Sequence, residues 1–139
     1  AHRAVGIAHG GWKGTVRRIA AKTVLRMQRE FGTRPEDVLA AIGPSIGPCC
    51  YEVGPEVERQ FQEAFSGHEA ALFSHPDAVG GTHLSLWAAN RLQLEEIGVL
   101  REHIDEARTC TACHHEDFFS YRADGGQTGR LGAVIALRS

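Results

Sequence analysis

The sequence lacks long hydrophobic runs, and the longest, such as residues 131–137, has seven residues. A transmembrane helix needs about 20 apolar residues, so none is expected here. An excess of one charge is also missing, because 15 basic and 17 acidic residues give a formal net charge of -2. Partners such as nucleic acid or an anionic membrane therefore have no global electrostatic support, and we expect neither.

The sequence also shows no export signal and no disulfide framework. No basic segment followed by an apolar stretch opens the chain. Its four cysteines are an adjacent pair, Cys49 and Cys50, and a C-x-x-C pair, Cys110 and Cys113. A chain of 139 residues can build a core without covalent cross-links, and the spacing is not typical of a secreted scaffold. We expect reduced thiols and a cytoplasmic location.

Hydrophobic periodicity predicts a mixed α+β fold in which strands alternate with helices. No repeat, low-complexity tract or linker interrupts the chain, so residues 1–139 are expected to form a single domain. Apolar runs predict strands, and apolar residues at helical spacing predict helices. The predicted strands are residues 4–8, 38–42, 103–108 and 131–137; the predicted helices are residues 15–31, one beginning at Pro55 and carrying Phe61 and Phe65, and residues 85–97; residues 66–82 are expected to be a loop.

The first segment that carries chemistry is residues 9–15, between a predicted strand and a predicted helix. Its glycines, among them Gly11 and Gly14, allow close approach of a ligand to the backbone, and Lys13 adds a cation. Free N–H groups at a helix start suit an anion such as phosphate. An ordinary glycine-rich turn remains the alternative, and His9 fits either a structural role or a ligand role.

A second segment with possible chemistry is the C-x-x-C pair, which is followed by His114. Cys110, Cys113 and His114 together are a credible half of a zinc site. A second C-x-x-C is missing, and in an extended chain Cys49 and Cys50 would face opposite ways. The interpretation favoured for these two is a pair of small buried hydrophobic residues, with at most one acting as a ligand.

Two further features remain open on the residues alone. Arg122 and Arg130 bracket a glycine-containing turn, and arginine suits bidentate recognition of phosphate or carboxylate. The alternative is a surface hairpin with two solvated arginines. Asn90 falls on the apolar face of the predicted helix 85–97, so it must either bond to the backbone or serve a site.

Four blocks in order along the chain resemble the YfiH-like, laccase-domain family. Residues 9–15 (HGGWKGT) are similar to that family's H-A-G-W-R-G-T signature, and residues 42–53 to its I-G-P-x-I-G-P-x-x-Y-E-V block. Residues 86–91 and residues 118–130 match two more. The resemblance implies a layered α/β/β/α arrangement with mixed sheets, and it covers about the later half of a typical member. We therefore expect this chain to be the C-terminal part of a longer laccase-domain protein.

The resemblance also implies an activity and a metal. Members are described as purine nucleoside phosphorylases acting on inosine, adenosine and guanosine, several with adenosine deaminase and methylthioadenosine phosphorylase activity. Their single zinc is held by histidine of Q-V-H-G, cysteine of D-C-L-P and histidine of H-A-G-W. Only the last has a counterpart here, His9, so catalysis by this chain alone is expected to be incomplete. Purine nucleoside and phosphate are the expected partners; the phosphate or ribose candidates are Gly11, Lys13, Gly14, Arg122 and Arg130.

Three departures from the family pattern accompany these matches. Gly10 stands for alanine, Lys13 for arginine, and Ser85 for an aspartate before Leu-Trp. Lysine keeps the charge but gives up the bidentate fork of arginine.

Two other functions remain open. An older description of the family, multicopper polyphenol oxidase, would replace zinc by copper and recruit Cys110, Cys113, His114 or His115. A non-catalytic fragment is the other possibility. An open sheet edge in such a fragment would favour a homo-oligomer or pairing with a missing N-terminal portion.

Overall fold

The helices and strands of the chain are short and alternate along the sequence. The computed structural model describes residues 3–76 and 80–138. Its helices are α1 (Trp12–Val16), α2 (Ile19–Phe31), α3 (Pro55–Ala64), α4 (Glu69–Leu72) and α5 (Leu86–Glu96). Its strands are β1 (Ala40–Ile42), β2 (Glu52–Val53), β3 (Phe73–Ser74), β4 (Thr82–Leu84) and β5 (Ile104–Glu106), and two 3-10 turns cover Pro35–Asp37 and Arg101–His103.

The strands form a parallel pair and an antiparallel sheet in the described part of the chain. In the pair, β1 lies parallel to β5, with Ala40 opposite Ile104. In the antiparallel sheet, β4 lies between β2 and β3. Beyond β1 and β5 the two chains stay together through a parallel bridge between Ser45 and Cys110. Helices and both kinds of strand pairing confirm the predicted α+β class.

Helix α5 joins two hydrophobic clusters, because its opposite ends point into different cores. Leu86 and Ala89 pack with Phe61 and Phe65 of the α3 region. Leu94 packs in the second cluster. That second cluster also contains Val24, Val38, Val99 and Ile104. The helix that carries Asn90 is therefore held on both sides, which fixes the position of its polar side chains.

The predicted helix 15–31 is interrupted, and a buried glutamine explains the interruption. Arg18 has a left-handed backbone (φ 64°) between α1 and α2. Gln93, fully buried, donates its Nε2–H to the Thr15 carbonyl at 2.9 Å. That carbonyl also accepts from the Arg18 N–H at 2.9 Å, a tight turn rather than a continued α-helix. Thr15 is thus a buried residue inside α1 and not the start of one continuous helix, whereas α2 ends at Phe31 as predicted and is followed by Gly32 with φ 65°.

The other two predicted helices are confirmed. Pro55 opens α3, as its fixed φ favours. Ser85 caps α5 by accepting the Ala88 N–H at 3.2 Å on its hydroxyl. The predicted strands 38–42 and 103–108 are present as the shorter β1 and β5.

Residues 66–82, expected to be a loop, contain regular structure. They include α4, β3 and the first residue of β4, while residues 77–79 lie outside the described residues. Both strands are too short to show a periodic pattern. Their existence depends on pairing between Phe73 and Leu84, a tertiary contact that local sequence does not encode.

The prediction of strands at residues 4–8 and 131–137 is wrong, because the structure describes both segments and has no strand in either. Both segments lack strand pairing, and Ile7 is 58% and Val134 99% exposed. An apolar run becomes a strand only when a neighbour accepts its backbone hydrogen bonds, and no described segment does so here. Residues near Gly6 instead lie on α2, since a Cβ there would come within 2.9 Å of Met27 Sδ. Among the described residues, no helix is both long and apolar enough to cross a membrane.

Candidate functional site

The His9 imidazole lies over a glycine whose missing side chain makes room for it. A Cβ on Gly11 would lie 2.8 Å from His9 Nε2, closer than real contacts allow. Gly11 also precedes the first residue of α1. The side chain of His9 is exposed, and its carbonyl lies 3.0 Å from where a Cβ of Gly14 would be. The glycines therefore let the backbone fold tightly around an accessible histidine.

A buried network of hydrogen bonds supports the turn that carries His9. The Thr15 hydroxyl donates to the Gly10 carbonyl at 3.0 Å, and Asn90 Nδ2 donates to the Thr15 hydroxyl at 3.1 Å. Asn90 Nδ2 also donates to the Leu86 carbonyl at 2.9 Å. The expectation that this core-facing amide finds partners is confirmed. The network ties residues next to His9 to α5, which is anchored in both hydrophobic clusters.

The predicted basic residues lie on separate elements. Lys13 is exposed on α1, its Nζ 5.5 Å from the ring centroid of Trp12. Arg122 donates to the Glu52 carbonyl at 3.0 Å and lies 5.6 Å over the ring of Tyr51.

Arg130 contacts its own turn, donating to the Gly129 carbonyl at 3.0 Å. Within residues 3–76 and 80–138, no hydrogen bond or ion pair joins these three cations to His9. Their joint action on a ligand stays a prediction.

The four cysteines come together, which the sequence interpretation did not foresee for Cys49 and Cys50. Cys113 Sγ lies 3.5 Å from Cys49 Sγ and 3.4 Å from Cys50 Sγ. All four sulfur atoms, which we call the cysteine cluster, lie within 4.8 Å of one another; its members are Cys49, Cys50, Cys110 and Cys113. Four sulfur ligands at such distances could bind a metal ion. His114 is exposed and is not part of this group.

The expectation of two buried small hydrophobic residues fails because the chain is not extended there. The N–H groups of Cys50 and Tyr51 both donate to the Gly47 carbonyl, at 3.0 and 2.9 Å. This tight turn brings both neighbouring thiols to one side. Cys49 is exposed and Cys50 is half-buried, whereas Cys110 is buried.

Parallel strand pairing explains how cysteines 60 residues apart in the chain meet. The Ser45 N–H donates to the Thr109 carbonyl and the Thr111 N–H to the Ser45 carbonyl, at 3.3 and 3.1 Å. These bonds continue the β1–β5 pairing to the point where each cysteine turn begins. A sequence signal existed, because the two cysteine segments both follow predicted strands, but strand order could not be read from the sequence.

Backbone N–H groups surround the sulfur of Cys110. The Gly47 N–H donates to Cys110 Sγ at 3.2 Å. Burial alone would raise the pKa of this thiol, but N–H donors from Gly47, Cys113 and Ala112 outweigh it and lower the pKa to about 6. Burial and the Cys113 thiol raise the pKa of Cys49 well above its usual range.

For Cys50 the Cys113 thiol and burial raise the pKa to about 11. These surroundings therefore favour the thiolate form at Cys110 and the protonated form at Cys49 and Cys50.

A cleft between α5 and β5 holds an ion-paired carboxylate that the sequence interpretation missed. Glu106, whose side chain is 6% exposed, accepts from Arg91 at 2.6 Å and from Arg108 at 2.6 Å. Burial alone would raise the pKa of Glu106, but the two guanidinium groups outweigh it and lower that pKa. Pairing satisfies both arginines, so the carboxylate is a structural anchor for the end of β5.

Comparison with known proteins identifies the family. The family model described as "multi-copper polyphenol oxidoreductase laccase" matches residues 1–138. The chain belongs to this family. The resemblance seen in the motifs is thereby confirmed.

Relatives of this laccase-family chain carry names from nucleoside chemistry. It is 44% identical to a purine nucleoside phosphorylase of Bacteroides thetaiotaomicron over 98% of this chain and 50% of the relative. A purine nucleoside phosphorylase of Deinococcus radiodurans is 47% identical over 96% of this chain and 49% of the relative. A protein of an unknown prokaryotic organism, named adenosine deaminase RL5, is 41% identical over 91% and 47%.

Solved structures show the same fold. The crystal structure of the Bacillus licheniformis hypothetical protein YfiH superposes with a TM-score of 0.80 at 38% identity, over 88% of this chain and 45% of that chain. YlmD from Geobacillus stearothermophilus superposes with a TM-score of 0.79 at 39% identity over the same shares. The chain spans about half the length of these relatives.

Proposed function

We propose that this laccase-family chain supplies part of a purine nucleoside phosphorylase. The observation that carries the proposal is its 44–47% identity to two proteins of that name over nearly its whole length. The structure supports it through the His9 turn, where an accessible imidazole and glycine backbone are held rigidly by Thr15 and Asn90. Catalytic groups need such pre-organised support, since small displacements cost large factors in rate.

Phosphorolysis of a nucleoside needs positive charge that binds the phosphate, and it needs a purine base that can leave from the ribose. A phosphate oxygen attacks C1′ of the ribose, the C1′–N9 bond breaks, and its electron pair leaves with the purine, which takes up a proton. The products are ribose 1-phosphate and the free base. In this proposal Lys13, Arg122 and Arg130 provide positive charge for phosphate or ribose, and the backbone at Gly11 and Gly14 permits close approach.

The ligands present in this chain do not by themselves fit the family's catalytic zinc. A catalytic zinc has three protein ligands, and in the part of the chain that the structure describes no group of three candidate ligands includes His9. Two ligands would have to come from outside these residues, in the full-length protein or a second chain. We therefore assign His9 to that site as one donor.

Adenosine deamination is a second candidate, favoured by the relative named adenosine deaminase RL5. In that reaction water adds to C6 of the purine and ammonia leaves, so no phosphate is consumed. Methylthioadenosine phosphorolysis would follow the same course as inosine phosphorolysis. Which of these nucleosides reacts distinguishes the activities directly.

Copper-dependent phenol oxidation, which the family description suggests, receives less support from the described residues. Their only group of three or more candidate ligands is the cysteine cluster, an all-sulfur set. Oxidative copper centres use imidazole ligands together with sulfur. His114 and His115 are exposed and lie outside the cluster.

The experiment uses the natural full-length gene product, incubated with inosine or with adenosine, each with and without phosphate. Phosphate-dependent release of hypoxanthine and ribose 1-phosphate is expected. Arg122→Gln should raise the KM for phosphate, whereas Arg59→Gln, an exposed arginine on α3, should not. Turnover of adenosine to inosine without phosphate would transfer the assignment to deamination, and turnover of neither nucleoside would leave the non-catalytic association module.

A further inference from the structure

We propose that the cysteine cluster binds one zinc ion through all four thiolates, in a closed structural site separate from His9. The proposal does not depend on the proposed phosphorolysis. It assigns a role to four side chains that the reaction does not use.

The spacing of the sulfur atoms matches tetrahedral zinc. Zinc–sulfur bonds of about 2.3 Å in a tetrahedron separate neighbouring sulfur atoms by about 3.8 Å. Every pair in the cluster lies within 4.8 Å, and Cys113 Sγ lies 3.4 Å from one neighbour and 3.5 Å from another. These separations lie within about 1 Å of the tetrahedral value, so binding the ion needs only small shifts of the sulfur atoms.

The donor set selects zinc by its chemistry. Four thiolates in tetrahedral arrangement are typical of zinc or iron–sulfur sites, and hard cations such as magnesium prefer oxygen. A cluster of iron and sulfide would hold its ligands farther apart than one ion does, because several atoms lie between the thiolates. The short distances around Cys113 favour a single ion.

The surroundings of Cys110 support the same role. Its sulfur accepts the Gly47 N–H at 3.2 Å, and such donors stabilise a metal-bound thiolate and orient it. Gly47 has no space for a side chain, because a Cβ would lie 2.6 Å from Trp87 Cη2 and 3.1 Å from Cys110 Cβ. Trp87 is fixed in turn by its N–H bond to the Ser45 hydroxyl at 2.7 Å. The side of the cluster formed by Gly47, Trp87 and Cys110 is therefore in place before a metal ion binds.

A disulfide explains the arrangement less well. Sulfur atoms in a disulfide are about 2.05 Å apart. Cys113 lies nearly equally close to Cys49 and Cys50, so no single partner is selected. Either pairing would leave two of the four thiols unused, whereas one metal ion uses all of them.

A closed site would cross-link the turn after β1 with the turn after β5. All four coordination positions belong to the protein, so no position remains for substrate or water. Tyr51 follows the cluster directly, and Arg122 lies 5.6 Å over its ring. The ion would therefore also stiffen the segment on which Arg122 rests.

The test measures metal content and the visible spectrum of the natural full-length protein, purified without added metal. Cys113→Ser should lose one zinc ion per chain relative to the parent. His9→Ala should keep that ion, and His114→Ala, a neighbour outside the cluster, serves as the matched control and should also keep it. Replacement by cobalt should give the thiolate charge-transfer band and the red d–d bands of a tetrahedral four-sulfur site, which Cys113→Ser should abolish.

Thiol protection provides a readout on the unmodified protein, should Cys113→Ser fail to fold. Cys113 is exposed, so without metal its thiol should react with an alkylating reagent. The proposal expects it to react only after a chelator removes zinc. Rapid alkylation without chelator, copper or iron in place of zinc, or a native disulfide at Cys113 would each overturn it.

Discussion

Replacing Thr15 by valine tests whether the buried network determines the stability of the His9 turn. Thr15 is fully buried, and valine has nearly its shape. Only the hydroxyl is lost, together with its bond to the Gly10 carbonyl at 3.0 Å and its role as acceptor for Asn90 Nδ2 at 3.1 Å. Asn90 is 7% exposed, so the N–H that pointed at Thr15 is left without a partner and with little access to water, while the other amide N–H keeps the Leu86 carbonyl at 2.9 Å.

The expected cost follows from the loss of these two bonds. Leaving a buried donor unsatisfied costs about 1–3 kcal/mol, so we expect Thr15→Val to lower the free energy of unfolding by about 2–3 kcal/mol. With an m-value of about 2 kcal/mol/M, the urea midpoint should fall by about 1 M or slightly more. The m-value itself should stay unchanged, because the same surface is exposed on unfolding.

The matched control is Thr23→Val on α2. The Thr23 hydroxyl donates at 2.8 Å to the Ile19 carbonyl inside the helix, and the residue is half-buried. The same chemical change should cost less than about 0.5 kcal/mol there, because water can reach the site. Equal midpoints for the two variants would refute the reasoning, since burial of the network would then have no energetic consequence.

Three further predictions concern the core, the ion pair and the cysteine turn. Phe61→Ala should destabilise the fold by about 3–5 kcal/mol in denaturant titration, because Phe61 is fully buried. For Glu106 the folded pKa lies below its ordinary 4.5, so its stabilisation is present above about pH 4.5 and lost as the pH falls further. The free energy of unfolding should therefore fall less steeply with decreasing pH in Glu106→Gln than in the parent protein. An equal slope in the two proteins would contradict this. Gly47→Ala should reduce zinc content and stability, since its Cβ would meet Trp87 at 2.6 Å, whereas Gly43→Ala, with nothing within 4 Å, should affect neither.

The elements that sequence predicted best are those with a strong local signal. Helices beginning at Pro55 and Ser85, and the stop at Gly32, depend on backbone geometry and capping within one turn. Elements that depend on a partner were predicted poorly. Gln93 lies 78 residues from Thr15 in the chain and interrupts the helix by its hydrogen bond to the Thr15 carbonyl. No local sequence pattern indicates this contact.

The same distinction applies to the candidate site. The motif around His9 was visible in the sequence because its glycines and histidine are adjacent. Grouping Cys49 with Cys113 was not, because it requires both a tight turn at Gly47 and parallel pairing of β1 with β5. Spacing rules for zinc assume two C-x-x-C pairs, and here an adjacent pair replaces one of them.

By itself the sequence determined the family and the α+β class, because both depend on motifs and periodic patterns formed by residues that are close together in the chain. Tertiary structure decided which buried amides hold the His9 turn, where the apolar segments 4–8 and 131–137 lie, and that four scattered thiols share one place. The physical reason is that hydrogen-bond partners and metal ligands are selected by distance in space. Helix packing brings Gln93 to Thr15, and strand pairing brings the two cysteine turns together.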